Sequence, residues 1–288
     1  MNQAMISTSG NGVRSVIGAI IGDIVGSAYE WHNTKDYDFN FFSEKTEFTD
    51  DTVLSVATAD VILKKYDTAT AEDYAEMYKK YGRDYPRRGY GGRFIGWLQR
   101  SDMPRLDSYG NGSAMRVSAA GFAFDTLEAV LKESRKSAEF THGHPEGVKG
   151  AQATASAIFL ARTGSSKEEI KGYIKKEFNY SLDRTLNEIR PTYTFDATCP
   201  GSVPEAITAF LESGSYEDAI RKAITLGGDS DTIACIAGGI AEAFYRKIPD
   251  AYMKKALDIL DRPLRSVVEK FEEKYGLDTE NRASPSDR

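Results

Sequence analysis

A row of three glycines spaced four residues apart constrains the fold of this chain more than any other feature of its sequence. Gly18, Gly22 and Gly26 lie in the run SVIGAIIGDIVGSAYE, whose apolar residues have helical spacing. Glycine inside a helix costs about 0.5–1 kcal/mol relative to alanine, so such a row is tolerated where another backbone must come close. The small residues of TIACIAGGIAEAFY indicate a second helix of this kind. We therefore expect two central, closely packed helices, in which packing alone is the simplest role of the glycines.

A helical period dominates the rest of the chain as well. The run TDDTVLSVATADVILKKY, which begins at Thr49, places its apolar residues on one wide helix face. No segment combines apolar–polar alternation with the β-branched residues of a strand. We therefore expect an all-α fold, a compact multi-helix orthogonal bundle formed by a single domain, residues 13–278. Residues 1–12 are expected to be disordered or frayed, and residues 279–288 to form a polar tail. Further helices are predicted at Ala69–Tyr81, Leu127–Phe140, Gly147–Arg162, Lys167–Phe178, Pro204–Glu212, Tyr216–Thr225, Thr232–Arg246 and Leu264–Tyr275.

Composition and charge exclude several classes of protein. The chain has 37 basic and 43 acidic residues, a net charge of −6, which gives no general attraction to nucleic acids or anionic membranes. Its two cysteines, Cys199 and Cys235, argue against a disulfide framework and fit a reducing cytoplasm. The apolar run Val16–Val25 contains Asp23 and is too short to span a bilayer. We expect a cytoplasmic protein that binds neither membranes nor nucleic acids in general.

Two clusters of threonine and aspartate each begin a predicted helix. One is Thr49–Thr52, with the sequence TDDT, and the other is Gly227–Thr232, with the sequence GGDSDT. An N-cap needs one such side chain, whereas each cluster offers two carboxylates and a threonine hydroxyl. The partial positive charge of a helix N-terminus disfavours a cation, so a metal there requires several anionic oxygens. Four aspartates match two divalent cations, and all-oxygen ligands favour Mg²⁺, with Mn²⁺ as the alternative, over zinc.

Other interpretations of these aspartates fit the sequence less well. Asp229 and Asp231 have the spacing with which an EF-hand loop begins, but Ala234 and Ile240 occupy the positions that require Gly and Glu. A phosphatase-type aspartate motif would follow an apolar strand, whereas Ala223–Gly228 has the pattern of a helix end and a turn. The sequence contains no nucleophile elbow and no P-loop. Its three histidines also disfavour a histidine-rich metal site.

Two acidic residues belong to the glycine-rich face of the first predicted helix. Glu30 continues the glycine row by one more interval of four residues. Asp23 lies within about 20° of it around the helix axis, provided that the helix extends that far. A packed helix face ending in two carboxylates would deliver them to a site. The alternative is that Glu30 is a solvated helix end and Asp23 an internal polar contact.

A glycine-rich stretch, Arg87–Arg116, has turn-forming residues at both of its ends. Glycine-rich turns can direct successive backbone N–H groups at one phosphate, and Ser108, Tyr109 and Asn111 add side-chain donors. The alternative is a solvated basic surface loop. The stretch THGHP contains His142, for which the sequence allows either a structural role or a substrate contact.

Taken in order, these pieces resemble the ADP-ribosylglycohydrolase family. The matching stretches are GAIIGDIVGSAYE, FTDDT, GYGGRF, SYGNGSAMR, THGHP and GGDSDTIACIAGGIAEA, which follow the order typical of the family. They cover most of Ile17–Phe244, and six motifs in sequence are far more specific than any one of them. The region between Arg162 and Pro204 matches no family motif that can be placed.

The resemblance implies an all-α fold with two Mg²⁺ ions in a central cleft. It implies that Glu30 approaches the scissile ribose and acts in catalysis together with Asp51, and that Asp23 is a supporting residue. The GYGG stretch with Gly92, together with His142, would line the ADP-ribose cleft. The implied metal ligands are Thr49, Asp50, Asp51, Asp229, Asp231 and Thr232, and the implied diphosphate-binding residues are Ser108, Tyr109, Gly110, Asn111 and Gly112.

The implied activity is Mg²⁺-dependent hydrolysis of the N- or O-glycosidic bond between ADP-ribose and a modified acceptor, with a protein side chain as the first expectation. Its partners would be ADP-ribose and an ADP-ribosylated protein. Two alternatives use the same residues: a metal-dependent nucleotide phosphohydrolase and a non-catalytic ADP-ribose-binding module. Intact TDDT and GGDSDT motifs, together with Glu30, argue against the loss of activity. Recognition of the acceptor is expected either between Arg162 and Pro204 or in the loop after Glu30.

Overall fold

The computed structural model describes residues 16–276 and contains fifteen α-helices in that range, with two isolated β-bridges and no strand. The expected all-α fold is confirmed. The segments 1–12 and 279–288, for which a frayed end and a polar tail were predicted, lie outside the described residues. The helices are α1 (Ile17–Ser27), α2 (Asp50–Lys65), α3 (Ala71–Asp84), α4 (Gly92–Gln99), α5 (Gly112–Met115), α6 (Ser118–Ala123), α7 (Leu127–Glu139), α8 (Pro145–Arg162), α9 (Lys167–Phe178), α10 (Leu186–Ile189), α11 (Cys199–Leu211), α12 (Tyr216–Ile224), α13 (Ser230–Tyr245), α14 (Asp250–Ile259) and α15 (Arg262–Tyr275).

All ten helices expected from the periodicity are present. The helix expected at Lys167–Phe178 matches α9 at both ends. The helix predicted to begin at Pro204 instead begins at Cys199, because the side chain of Thr198 caps its first turn. Pro204 therefore lies inside α11. The helices that were not predicted are α4, α5, α6, α10 and α14. The first four have eight residues or fewer, too few for a clear helical period, whereas α14 has ten and is longer than the predicted α12. No helix in the described range has the length and apolar character needed to cross a membrane.

The two small-residue helices, α1 and α13, pack against each other through their backbones. A methyl group added at Gly22 would lie 2.1 Å from the backbone oxygen of Ala234, closer than any real contact. Near the other end of the pair, Glu242 of α13 accepts a buried hydrogen bond of 2.8 Å from the backbone N–H of Gly18. This bond satisfies one of the free donors at the N-terminus of α1. The prediction of two closely packed glycine-rich helices is confirmed.

The first helix ends at Ser27, three residues before Glu30. The Ser27 hydroxyl donates to the Ile24 carbonyl and the Tyr29 N–H donates to the Gly26 carbonyl, each at 2.8 Å. These bonds close the last turn and lead the chain out of the helix. The condition for a shared helix face is therefore not met, and Glu30 lies in the loop between α1 and α2.

Aromatic contacts hold the loop between α1 and α2 against the helices. The guanidinium of Arg221 in α12 lies 5.0 and 5.2 Å from the ring centroids of Phe39 and Phe41. It also donates a hydrogen bond of 2.9 Å to the Phe39 carbonyl. The Phe41 ring stacks on Tyr252 of α14 with centroids 4.5 Å apart. The loop that carries Glu30 is thus fixed to α12 and α14.

Candidate active site

The N-terminus of α2 is built on a fully buried carboxylate, that of Asp23 in α1. Asp23 accepts hydrogen bonds from the backbone N–H groups of Thr49 and Thr52, at 3.0 and 3.1 Å, and from both threonine hydroxyls. These donors compensate for the burial of a side chain that has no contact with solvent. Asp23 therefore fixes Thr49, the N-cap of α2, and the first turn of that helix.

A turn of two glycines leads into α13. Gly227 and Gly228 have φ angles of +77° and +70°, which favour glycine over any other residue. The turn ends at Asp229, and Thr232 follows in the first turn of the helix. The hydroxyl of Thr232 donates to Oδ2 of Asp51 at 3.3 Å. The two threonine–aspartate clusters predicted from the sequence therefore meet, although 181 positions separate these two residues.

Five carboxylates form two overlapping groups at this meeting point. Asp23, Asp51 and Asp231 each have an oxygen within 4.8 Å of the others. Glu30, Asp229 and Asp231 form a second group with the same spacing. Asp231 belongs to both groups. Three of the six metal ligands implied by the resemblance, Asp51, Asp229 and Asp231, belong to these groups, and so does Glu30.

Burial acts to raise the pKa of every member of this carboxylate cluster. Burial and the charges of neighbouring carboxylates raise the pKa values of Asp51 and Asp231 well above the ordinary value. Burial raises the pKa of Asp23 to about 6, although its hydrogen bonds from threonines act in the opposite direction. Burial and the charges of Asp229 and Asp23 raise the pKa of Glu30 to about 7. Carboxylates held this close together favour the binding of protons or of a cation.

The oxygens of the cluster fit a hard divalent cation. Oδ1 of Asp51 is buried and has no hydrogen-bond partner among the described residues. The hydroxyls of Thr49 and Thr232 lie 3.4 and 3.3 Å from the other oxygen of Asp51. These hydroxyls place two neutral oxygen ligands beside the carboxylates. An oxygen-only set of this kind is suited to Mg²⁺ or Mn²⁺.

Asp50, also an implied ligand, is half-buried and lies outside both carboxylate groups. Its backbone N–H donates to the Arg88 carbonyl at 2.6 Å. Its side chain packs on Gly89, where an added methyl group would lie 2.9 Å from Oδ1 of Asp50. Burial and the charges of Asp23 and Asp229 raise the pKa of Asp50 well above its ordinary value. The glycine-rich stretch thus contacts the start of α2 through Gly89.

Asn33, which the sequence analysis did not identify, ties Glu30 to the start of α13. Its side-chain amide donates to the backbone carbonyls of Tyr29, Glu30 and Gly228 at 2.7, 2.9 and 3.1 Å. Its Oδ1 accepts a hydrogen bond of 2.8 Å from the N–H of Gly228. One amide therefore fixes the loop that carries Glu30 against the turn that precedes Asp229.

The predicted diphosphate loop, Ser108–Gly112, pairs with the segment before α11. The Asn111 N–H donates to the Ala197 carbonyl at 2.9 Å, and the Gly110 N–H donates to Oγ of Ser108 at 3.1 Å. The Asn111 side chain donates to Oδ2 of Asp229 at 2.7 Å. The loop therefore contacts the acidic cluster, and Asn111 uses its amide to position a carboxylate.

Two other residues predicted to bind substrate differ sharply in exposure. Tyr109 is 47% exposed, whereas His142 is 7% exposed and lies beneath the loop. A methyl group added at Gly112 would be 3.1 Å from Nε2 of His142, and Nδ1 of the same ring lies 2.9 Å from the Thr141 hydroxyl. His142 therefore supports the loop from inside the protein, while the Tyr109 ring is open to solvent.

Gly92 begins α4 and is exposed, with no atom within 4 Å of the position of an added methyl group. The positive charge of its neighbour Arg93 acts on His142. Burial and the positive charges of Arg116 and Arg93 lower the pKa of His142 well below its ordinary value. The start of α4 is thus an open surface, and its charge acts on the histidine beneath the loop.

Residues between α10 and α11 reach the site from the region that matched no family motif. A methyl group added at Gly228 would lie 2.7 Å from the Tyr193 ring and 2.9 Å from the Thr194 carbonyl oxygen. The next residue, Phe195, stacks on Trp31, with ring centroids 5.8 Å apart. No sequence signal identified these residues, because their role depends on contacts between distant parts of the chain.

Similarity to known proteins agrees with this geometry. A family model described as ADP-ribosylglycohydrolase matches residues 11–282. ADP-ribosylhydrolase ARH3 of Homo sapiens is 28% identical over 88% of this chain and 92% of its own length, and ADP-ribosylarginine hydrolase Tri1 of Pseudomonas putida is 25% identical over 80% and 69%. A solved structure described as an ADP-ribosylglycohydrolase-related protein complex has a TM-score of 0.69 at 21% identity, covers 90% of this chain and 96% of its own, and shares the fold. The chain therefore belongs to the ADP-ribosylglycohydrolase family.

Proposed function

We propose that this protein is a Mg²⁺-dependent hydrolase that cleaves the N- or O-glycosidic bond between ADP-ribose and a modified protein side chain, releasing ADP-ribose. Family membership and the named relatives support a hydrolase that acts on ADP-ribosylated acceptors. The dependence on Mg²⁺ and the protein side chain as acceptor go beyond that support and are part of the proposal. The observation that carries it is the pair of carboxylate groups that share Asp231, with Glu30 at their edge.

The acidic cluster is the proposed metal site. Two Mg²⁺ ions, for which Mn²⁺ is the alternative, would supply Lewis acidity there and orient the ribose hydroxyls. Asp23 holds the first turn of α2 in place, and Asn111 holds Asp229. The proposed ligands are Thr49, Asp50, Asp51, Asp229, Asp231 and Thr232.

Glu30 is the proposed catalytic carboxylate at the scissile bond. Cleavage at C1 of the ribose passes through an oxocarbenium-like state, whose positive charge a nearby carboxylate stabilises. A pKa of about 7 in the metal-free protein also lets Glu30 hold or release a proton near neutral pH. Asp51 is the second proposed catalytic residue, and it acts from within the cluster, where it accepts hydrogen bonds from Thr49 and Thr232.

The loop Ser108–Gly112 is proposed to hold the diphosphate. Because Gly110 and Asn111 already donate their N–H groups within the protein, the donors proposed for phosphate are the other N–H groups of the loop and the Ser108 hydroxyl. The exposed Tyr109 ring and the open surface at Gly92 are proposed to contact other parts of ADP-ribose. His142 is proposed to contribute by supporting the loop.

The cytoplasm is the proposed location of the protein. Both cysteines, Cys199 and Cys235, are free and buried, which requires no oxidising compartment.

A panel of substrates tests the proposal. ADP-ribose linked to arginine, serine or cysteine in a peptide is incubated with the protein in Mg²⁺ or in excess EDTA, and the products are identified by mass spectrometry. We expect ADP-ribose from at least one linkage in Mg²⁺ and none in EDTA. Inorganic phosphate or a nucleotide monophosphate as the product would instead identify a phosphohydrolase. Tight binding of ADP-ribose in Mg²⁺ without turnover of any linkage would identify a binding module.

A further inference from the structure

Two exposed aromatic side chains stack on each other at the edge of the acidic cluster. Trp31 is 74% exposed and Phe195 is 49% exposed, and their rings are 5.8 Å apart with an angle of 17° between the planes. Trp31 belongs to the loop between α1 and α2, whereas Phe195 belongs to the segment between α10 and α11. We call this pair the aromatic platform. Large exposed aromatic surface of this kind is typical of a binding surface.

The backbone on both sides of the platform is fixed. On one side, Asn33 binds the Glu30 carbonyl and the turn before α13. On the other, the Ala197 carbonyl accepts from Asn111, and Oδ1 of Asp196 accepts from the Thr198 N–H at 2.9 Å. A platform with rigid supports loses little conformational entropy when a partner binds to it.

The platform is continuous with the proposed reaction centre. Trp31 directly follows Glu30, and Phe195 directly precedes Asp196, whose charge contributes to raising the pKa of Asp229 after the effect of burial. In an ADP-ribosylated substrate, the acceptor is joined to the ribose carbon that reacts, whereas the adenine is separated from that carbon by the diphosphate. The platform therefore adjoins the acceptor end of the substrate.

The charges next to the platform are suited to a cation. Glu30 and Asp196 flank the two rings in sequence. Two cations of this region hydrogen-bond to backbone carbonyls and not to these carboxylates: Lys35 donates to the carbonyls of Leu226 and Arg190, and Arg190 donates to the Thr225 carbonyl. Aromatic faces combined with carboxylates attract guanidinium and ammonium groups.

We propose that the aromatic platform of Trp31 and Phe195 binds a basic side chain that flanks the modified residue of a polypeptide acceptor. This inference rests on the proposed function and adds to it a preference for the sequence around the modified residue. The platform and the exposed Tyr109 ring of the diphosphate loop belong to different segments of the chain.

The test uses a pair of ADP-ribosylated peptides that differ only in one residue next to the modified one, arginine in one peptide and glutamate in the other. Both carry the linkage that is hydrolysed in the substrate panel. We expect the wild-type protein to hydrolyse the arginine peptide with a kcat/KM about fivefold higher, mainly through KM. Phe195→Ala should reduce this ratio to nearly one, and Phe195→Tyr, which keeps an aromatic ring, should retain it. Ile95→Ala, another exposed apolar residue, is the matched control and should also retain it.

The same peptides are titrated calorimetrically in excess EDTA into wild-type and Phe195→Ala protein, so the preference is measured as a Kd in the absence of turnover. Equal kcat/KM and Kd values of wild-type protein for the two peptides would overturn the inference. An unchanged preference for the arginine peptide in Phe195→Ala would also overturn it. Weaker binding of free ADP-ribose by Phe195→Ala would also overturn it, because the platform would then bind the adenine. Failure of the proposed function gives a different result, since no linkage in the panel would release ADP-ribose.

Discussion

Glu30 shows how one residue can lie at a site for a reason other than the one its sequence position indicates. The spacing of four residues placed it on a helix face, yet α1 ends at Ser27 and the loop brings Glu30 to the cluster. Asn33 supplies the missing constraint, because its amide joins the Glu30 carbonyl to the turn before α13. The charge of Glu30 and the position that Asn33 gives it can therefore be tested separately.

Replacing Glu30 with glutamine tests the charge. The variant keeps the size of the side chain but can neither carry a negative charge nor transfer a proton as a carboxyl group does. General acid–base assistance contributes typically about 10²–10⁴-fold in rate, so we expect turnover to fall at least about 10²-fold. Binding of ADP-ribose in Mg²⁺, measured by calorimetry, should remain within a few-fold of wild type. Wild-type turnover at saturating substrate would remove Glu30 from the mechanism.

Replacing Asn33 with alanine tests the position of Glu30. The variant loses three hydrogen bonds donated by the amide and one accepted from Gly228. Because small displacements of a reacting group slow catalysis strongly, we expect kcat to fall about tenfold while the Kd for Mg²⁺ changes little. Asn33→Asp, which keeps the acceptor for Gly228 but loses the donors, should lie between alanine and wild type. Equal losses of kcat and metal affinity would show a general structural role instead.

At the scale of secondary structure, the amount that the sequence predicts depends on the length of each element. A helix of eleven residues or more, such as α1 or α13, repeats its apolar face often enough to be recognised. Helices of four residues, such as α5 and α10, contain one turn and have no period to detect.

The same limit applies to the site. The aspartates that open α2 and α13 were predicted, whereas Asn33 and Phe195 act through contacts with segments about 160 or more residues away, which local patterns do not encode.

The contact between α1 and α13 predicts a large loss of stability on a small substitution. A methyl group at Gly22 would lie 2.1 Å from a backbone oxygen of α13, so the two helices must move apart. We expect Gly22→Ala to lower the free energy of unfolding by about 3 kcal/mol, measured in urea. Gly172 in α9 is the matched control, since it is exposed and an added methyl group meets no atom within 4 Å. Gly172→Ala should instead raise the free energy of unfolding by about 0.5–1 kcal/mol. Equal stability of the two variants would contradict the close packing.

For the whole molecule, the acidic cluster links stability to pH and to metal ions. In the folded, metal-free protein the pKa values of Asp23 and Glu30 are raised to about 6 and about 7. The folded state therefore binds more protons than the unfolded state, and its stability falls as the pH rises through these values. A cation that binds the folded cluster offsets this loss.

Thermal unfolding measured in EDTA and in Mg²⁺ tests this link. In EDTA we expect the melting temperature to fall as the pH is raised from about 4 to about 7, and Mg²⁺ to restore it at the upper end. Asp231→Asn removes the charge shared by both carboxylate groups. We expect it to melt at a higher temperature than wild type in EDTA at neutral pH and to respond little to Mg²⁺. The opposite order in EDTA would show that repulsion within the cluster does not destabilise the fold.

The packing of α1 against α13 also sets an order of events during synthesis of the protein. The hydrogen bond between Gly18 and Glu242 joins residues 224 positions apart. At about 5–20 residues per second, α1 emerges from the ribosome about 10–45 s before α13 can cover it. Throughout that interval the face of α1 that packs against α13 has no native partner and is open to chaperones or to aggregation. The carboxylates that meet at Asp231 also come together only after α13 has been synthesised. A nascent chain therefore cannot act on substrate, and activity marks the molecules in which α1 and α13 have packed together.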